Sequence, residues 1–213
     1  MKRSPRGDLL RRAVAEEAAR LMIEHGLTDF GLAKRKAAER FGVTEHSVLP
    51  RNTEIESALA ERQRLFGRDR HALHLTDLRR AALVAMKLFA RFEPRLAGPA
   101  LSGTATPHSE VELHLFSDDV EAVVLTLMDA GLTHRVGERR LRSRPQREET
   151  EPYPVIRLTL AGHDMEATVF PEIGLRQAPI SPVDGRPMRR ATASEVEALV
   201  GQPPDQLRLD NGT

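Results

Sequence analysis

The sequence predicts an α+β protein: a helical N-terminal region followed by a mixed sheet with flanking helices. Three observations carry this reading. Before Pro94 the apolar residues recur at the spacing of amphipathic helices, and after it they alternate with polar neighbours in short runs. The charge changes sign at nearly the same place. Residues 1–95 hold 20 Lys and Arg against 13 Asp and Glu, and residues 96–213 hold 12 against 18. A basic helical region over 1–93, an α/β domain over 94–201 and an unstructured tail over 202–213 follow as the expected organisation.

The first helix is expected from Asp8 to His25, where Leu9, Leu10, Ala13, Val14, Ala18, Leu21 and Met22 share a face and Gly26 ends it. A second runs from about Asp29 to Phe41 and stops at Gly42. The turn Leu49-Pro50-Arg51-Asn52 separates it from a third, capped by Thr53 and reaching Phe66. The longest is expected from Thr76 to Phe92. Leu96 to Leu101 reads as a short apolar strand, and Val111, Leu113 and Leu115 as alternate residues of a second. Asp118 and Asp119 cap a helix from Val120 to Ala130. The Pro- and charge-rich stretch Glu138 to Pro152 is expected to be a projecting mobile loop. Val155 to Leu160 and Met165 to Phe170 flank Ala161-Gly162-His163-Asp164 as a hairpin. A last helix is expected near Ser194 to Val200.

Composition removes several function classes. The 213 residues include no cysteine, which excludes disulfides, thiolate zinc sites, iron–sulfur clusters and cysteine nucleophiles. Any metal must take oxygen or imidazole ligands, which favours hard ions such as magnesium. No apolar run approaches a membrane span and Met1 to Arg12 lacks the apolar centre of a signal peptide, so a cytoplasmic protein without a membrane partner is expected. Neither the Gly-x-x-x-x-Gly-Lys-Ser/Thr phosphate loop nor Gly-x-Gly-x-x-Gly occurs.

The segment from Leu96 to Leu113 concentrates the chemistry. On a strand Glu110, Glu112 and His114 share one face and Val111, Leu113 and Leu115 the other. Asp164, Glu166 and Thr168 stand in the same relation to Met165, Ala167 and Val169. Each acidic run taken alone reads as a solvated strand face. Were the two strands neighbours, the three glutamates would converge, and clustered carboxylates call for a bridging divalent cation.

Gly98-Pro99, ten residues, then Glu110-Val111-Glu112-Leu113, with Gly103-Thr104-Ala105 between and Glu166 on a later strand, resembles the signature of polymerase-β-type nucleotidyltransferases, in a small bacterial form. The resemblance covers about residues 94–172. It implies a minimal nucleotidyltransferase-like sheet and magnesium-dependent transfer of a nucleoside monophosphate from a nucleoside triphosphate to an acceptor hydroxyl on RNA, DNA, protein or a small molecule. It further implies that Glu110, Glu112 and Glu166 hold two Mg²⁺ ions and that Gly98, Gly103 and Thr104 let the backbone approach the nucleotide phosphates. Two positions depart from the pattern: Pro99 replaces the usual serine, and Glu110 is one methylene longer than the usual aspartate. The alternative is a catalytically inactive nucleotidyltransferase-fold binding module for nucleic acid or protein. The runs Leu32 to Phe41 and Leu101 to Ala105 also resemble small bacterial proteins labelled muramate–alanine ligases, a third reading that the missing phosphate loop disfavours.

The remaining features read as structural. His114 is expected as a partly exposed strand histidine, and His71 and His74 as surface or capping residues. The basic run Arg139 to Arg147 is expected in a solvated loop balanced by Glu148, Glu149 and Glu151, although a phosphate backbone or bound nucleotide could also engage it.

Overall fold

The computed structural model describes residues 5–43, 48–143 and 149–201. Helices α1 (Pro5–His25), α2 (Phe30–Arg40), α3 (Asn52–Phe66) and α4 (Arg68–Leu88) come first. Strand β1 (Arg95–Ala97), helix α5 (Gly98–Ser102), strand β2 (Val111–Phe116) and helix α6 (Val120–Asp129) follow. Strands β3 (His134–Leu141), β4 (Glu151–Leu160) and β5 (His163–Phe170) then lead to α7 (Ala193–Gly201). The α+β architecture is as the residue patterns predict. The strands form one mixed sheet in the order β1-β2-β5-β4-β3, with β2 and β5 parallel and every other pair antiparallel. No helix among the described residues is long and apolar enough to cross a membrane.

Two apolar clusters divide the chain between α3 and α4. Val14, Ala15, Ala18 and Met22 of α1 pack against Ala33 and Ala37 of α2 and Ile55 and Leu59 of α3. Arg11 on α1 donates through Nε and Nη2 to the Glu54 carboxylate on α3, at 2.9 and 2.8 Å. The second cluster joins Leu78, Ala82, Ala85 and Phe89 to Leu96, Leu113, Leu115, Ile156, Met165 and Val169, with Val123 and Leu127 of α6 and Val196 of α7. Thus α4 packs its buried face on the sheet, while α1, α2 and α3 build a core of their own.

Four local expectations are corrected. Leu96 to Leu101 is not one strand: it breaks after Ala97, because Gly98 adopts φ +65° and Pro99 suits the first turn of α5. The start of α3 is capped not by Thr53 but through Glu54, whose carboxylate accepts from the Arg51 amide at 2.7 Å. The fourth helix starts eight residues before Thr76, which places His71 and His74 within it. Glu138 to Pro152 is not loop throughout: Glu138 to Leu141 close β3, and Glu151 and Pro152 open β4. Residues 134–141 pair with 151–158 along their whole length, whereas β5 meets β4 only from Val155 onward, so Pro152 and Pro154 lie where no strand needs their missing N–H. Residues 144–147 of the basic run, Glu148 beside it and the tail from Gln202 lie outside the described residues.

The β4–β5 hairpin forms as expected, with Ala161 and Gly162 both at positive φ, the geometry of a two-residue type I′ turn.

Candidate functional site

Alternation sends Val111, Leu113, Leu115, Met165, Ala167 and Val169 into the core beneath α4 and α6. The opposite face therefore receives Glu112, His114 and Phe116 from β2 and Glu166, Thr168 and Phe170 from β5. The parallel register sets Glu112 beside Glu166, His114 beside Thr168 and Phe116 beside Phe170. Two of the three predicted acids are thus brought together by the central strand pair.

Between them lies a group that the sequence pattern did not assign to this site. Arg139, projecting from edge strand β3, reaches across β4 and donates through Nη1 to Glu166 Oε1 at 2.6 Å and to Glu112 Oε2 at 3.3 Å. Arg157, the β4 residue paired with Glu166, donates to its other oxygen at 2.6 Å. Glu166 is 8% exposed, and burying it with its charge requires such charge-assisted bonds. Burial pushes the Glu112 carboxyl above the usual range, against the pull of Arg139. Burial also lowers the Arg139 guanidinium's affinity for its proton, but the two carboxylates outweigh this and hold it above its ordinary value.

Glu110 stands just before β2 and is exposed. Its carboxyl is raised first by partial burial and then by the charge of Glu166, with Arg157 opposing. Among the described residues no three carboxylate or imidazole groups stand in positions that could hold a metal ion. The donor chemistry of Glu112 and Glu166 fits a hard cation, but the Arg139 guanidinium already occupies the place between them.

The three residues assigned to phosphate contact separate. Gly98 lies against Glu112: a Cβ there would come within 2.6 Å of the Glu112 Cδ. Gly103 and Thr104 turn toward the helical region instead. Their amides donate to the Pro99 carbonyl at 2.9 and 3.1 Å, and the Thr104 hydroxyl pairs with Ser102 at 2.8 Å. Their carbonyls accept from His71 Nε2 at 2.9 Å and Gln63 Nε2 at 3.3 Å, and His74 Nε2 donates to the Thr106 carbonyl at 2.9 Å. His71 and His74 are thus loop anchors rather than surface or capping residues, a role hidden in the sequence by a separation of 32 positions.

His114 is also corrected. It is 2% exposed, not partly exposed, and its Nδ1 accepts from Arg190 Nε at 2.9 Å. Burial, reinforced by the charges of Arg190 and Arg139, pushes the His114 pKa down to about 3, so the ring is neutral. A folded-state pKa below the unfolded value makes the native protein resist a proton that the unfolded chain accepts. The resulting stability is present above pH about 6.5 and is lost as pH falls toward 3, at about 1.4 kcal/mol per pH unit. In His114→Asn the amide oxygen keeps an acceptor for Arg190 and removes the titration. Urea denaturation between about pH 6.5 and about pH 4.5 is expected to show that extra slope in the unaltered protein and its loss in the variant. Parallel profiles would assign the acid sensitivity to other groups.

No family model, curated protein or solved structure matches this chain, so its functional reading rests on the geometry of this sheet face.

Proposed function

We propose that the chain is a magnesium-dependent nucleotidyltransferase that moves a nucleoside monophosphate from a nucleoside triphosphate to an acceptor hydroxyl. The observation that carries this reading is the assembly of Gly98, Glu112 and Glu166 at one place from β1–α5, β2 and β5. Chain segments distant in sequence bring a glycine turn and two carboxylates together, as expected of that chemistry. Glu112 and Glu166 would hold the ion only after the Arg139 guanidinium leaves the place between them, with Glu110 at the rim. When bound, magnesium supplies charge neutralisation and acidifies the acceptor hydroxyl. The acceptor oxygen attacks the α-phosphorus, the bond to the β-phosphate breaks, pyrophosphate leaves, and the hydroxyl proton passes to a carboxylate or water. The mixed sheet supports the carboxylates from below, because Leu113 and Ala167, next to them in sequence, are fully buried.

The second reading, a catalytically inactive binding module for nucleic acid or protein, is favoured by the Arg139 and Arg157 contacts to Glu166 and by Pro99, which offers neither an N–H nor a hydroxyl. Calorimetric titration with each nucleoside triphosphate, with and without magnesium, separates the two. The transferase reading expects magnesium to tighten nucleotide binding at least about tenfold and to raise the melting temperature with nucleotide present. Binding that ignores magnesium, with no pyrophosphate released, would favour the binding module.

A further inference from the structure

We propose that the outer edge of β3 takes an extended acidic peptide as a further strand of the sheet, with one of its carboxylates seated between Arg135 and Arg157. The inference needs no metal and stands apart from the transferase reading.

β3 ends the sheet, and among the described residues no backbone group pairs with the outer side of His134 to Leu141. Alternate residues of an antiparallel edge turn both N–H and C=O outward, so this edge is a row of donors and acceptors open to another strand. The usual guards of an edge are missing. The register with β4 runs without a bulge, and no proline interrupts the eight residues. The opposite edge is closed: β1 is three residues long, and Leu96 exchanges two backbone bonds of 2.9 Å with Ala191.

Charge selects the occupant. One rung crosses the sheet as Glu112, Glu166, Arg157 and Arg135, and there it stops. Arg157 faces Arg135 directly, an arrangement of like charges that costs stability. Arg157 donates through Nη2 to Glu166 at 2.6 Å, whereas its Nη1 has no hydrogen bond among the described residues. That nitrogen reaches over β3, since a Cβ on Gly137 would lie 3.2 Å from it. Arg135 is exposed and makes no ion pair among the described residues. Both guanidinium groups thus border the next place on the rung, where a carboxylate would offset their charges. On the other face Val136, opposite buried Ile156, is 58% exposed, so an apolar residue beside that acid would cover it.

Other occupants match these groups less well. Antiparallel two-fold pairing of β3 with a second copy keeps each side chain on its face, so Arg135 would meet Arg135, Gly137, Arg139 or Leu141 of that copy, and none is acidic. A phosphate backbone brings only acceptors to an edge that also presents carbonyls.

The test uses the full chain and a fluorescein-labelled peptide of about eight residues that alternates glutamate and valine. Fluorescence anisotropy is expected to show saturable binding below about 1 mM, weakened about tenfold when lysine replaces glutamate. Arg135→Glu is expected to weaken binding of the glutamate peptide about tenfold with an unchanged circular dichroism spectrum, because the altered side chain is exposed. Arg135→Gln should weaken it by a smaller factor and raise the melting temperature, because it ends the facing of like charges. Backbone pairing is read from two further peptides, N-methylated at the glutamates or at the valines. Only one side of the added strand faces β3, so one peptide should lose binding while the other keeps it. Equal affinities of these two would reduce the attraction to charge alone and overturn the added strand. Absence of binding by the glutamate peptide would overturn the proposal outright. Its displacement by an oligothymidylate would assign the edge to a phosphate backbone, and dimerisation in sedimentation velocity that Arg135→Glu abolishes would assign it to a second copy; either result overturns the peptide.

Discussion

If the proposed transferase reading holds, Glu112→Gln is expected to lower labelling of an acceptor by α-phosphate-labelled nucleotide by about 1000-fold, equivalent to about 4 kcal/mol of barrier. An amide keeps the shape of the carboxylate and removes the charge a divalent cation needs. The fold should survive. Arg139 retains its 2.6 Å bond to Glu166, and Arg157 retains the other oxygen. Burial already raises the Glu112 carboxyl above its ordinary value, so at neutral pH its ionised form opposes folding more than a neutral amide would. The melting temperature of Glu112→Gln at pH 7 is therefore expected to equal or exceed that of the unaltered protein. Lost labelling with an intact melt would support Glu112 as a metal-holding residue, whereas labelling that continues unchanged would remove it from the site.

The features legible in the sequence were those governed by near neighbours along the chain. Alternation in Val111-Glu112-Leu113-His114-Leu115 and in Met165-Glu166-Ala167-Thr168-Val169 is local, and it sorted core from opposite face on both strands. Asp119 caps α6 as its position suggests, and Asp29, expected as the start of the second helix, is the N-cap of α2. Features set by distant partners were hidden. Arg139 looked like part of a solvated loop because charge and proline dominate its surroundings, yet it lies on a strand paired with β4 and reaches acids 27 residues away on either side in sequence. His114 looked half-exposed because its partner, Arg190, follows 76 residues later. Gly103 and Thr104 resembled a phosphate loop, but their groups are spent on Pro99, Ser102, Gln63 and His71. A nearby basic residue that could cross a strand to the paired acids was the one available clue to Arg139. Strand register was needed to identify which residue it was.

Gly98→Ala is expected to destabilise the protein by about 3 kcal/mol, and to do so mainly through Glu112. Two costs combine. Gly98 holds φ +65°, where an L side chain costs about 1 kcal/mol or somewhat more. The added Cβ would also lie 2.6 Å from Glu112 Cδ and 2.7 Å from its Oε1, closer than packing permits, adding about 2 kcal/mol for the forced shift. The register explains the approach. Ala97 pairs directly with Glu112 across β1 and β2, so the next backbone unit passes beside that carboxylate. With Glu112→Ala in the background the clashing atoms are gone and only the backbone cost remains, about 1 kcal/mol. Urea denaturation of the four proteins of this double-mutant cycle is expected to give a coupling of about 2 kcal/mol between the sites. Equal costs in the two backgrounds would show that Gly98 serves only the turn into α5. A clear coupling would mean that the glycine is required by the carboxylate it touches, because no side chain fits between Gly98 and Glu112.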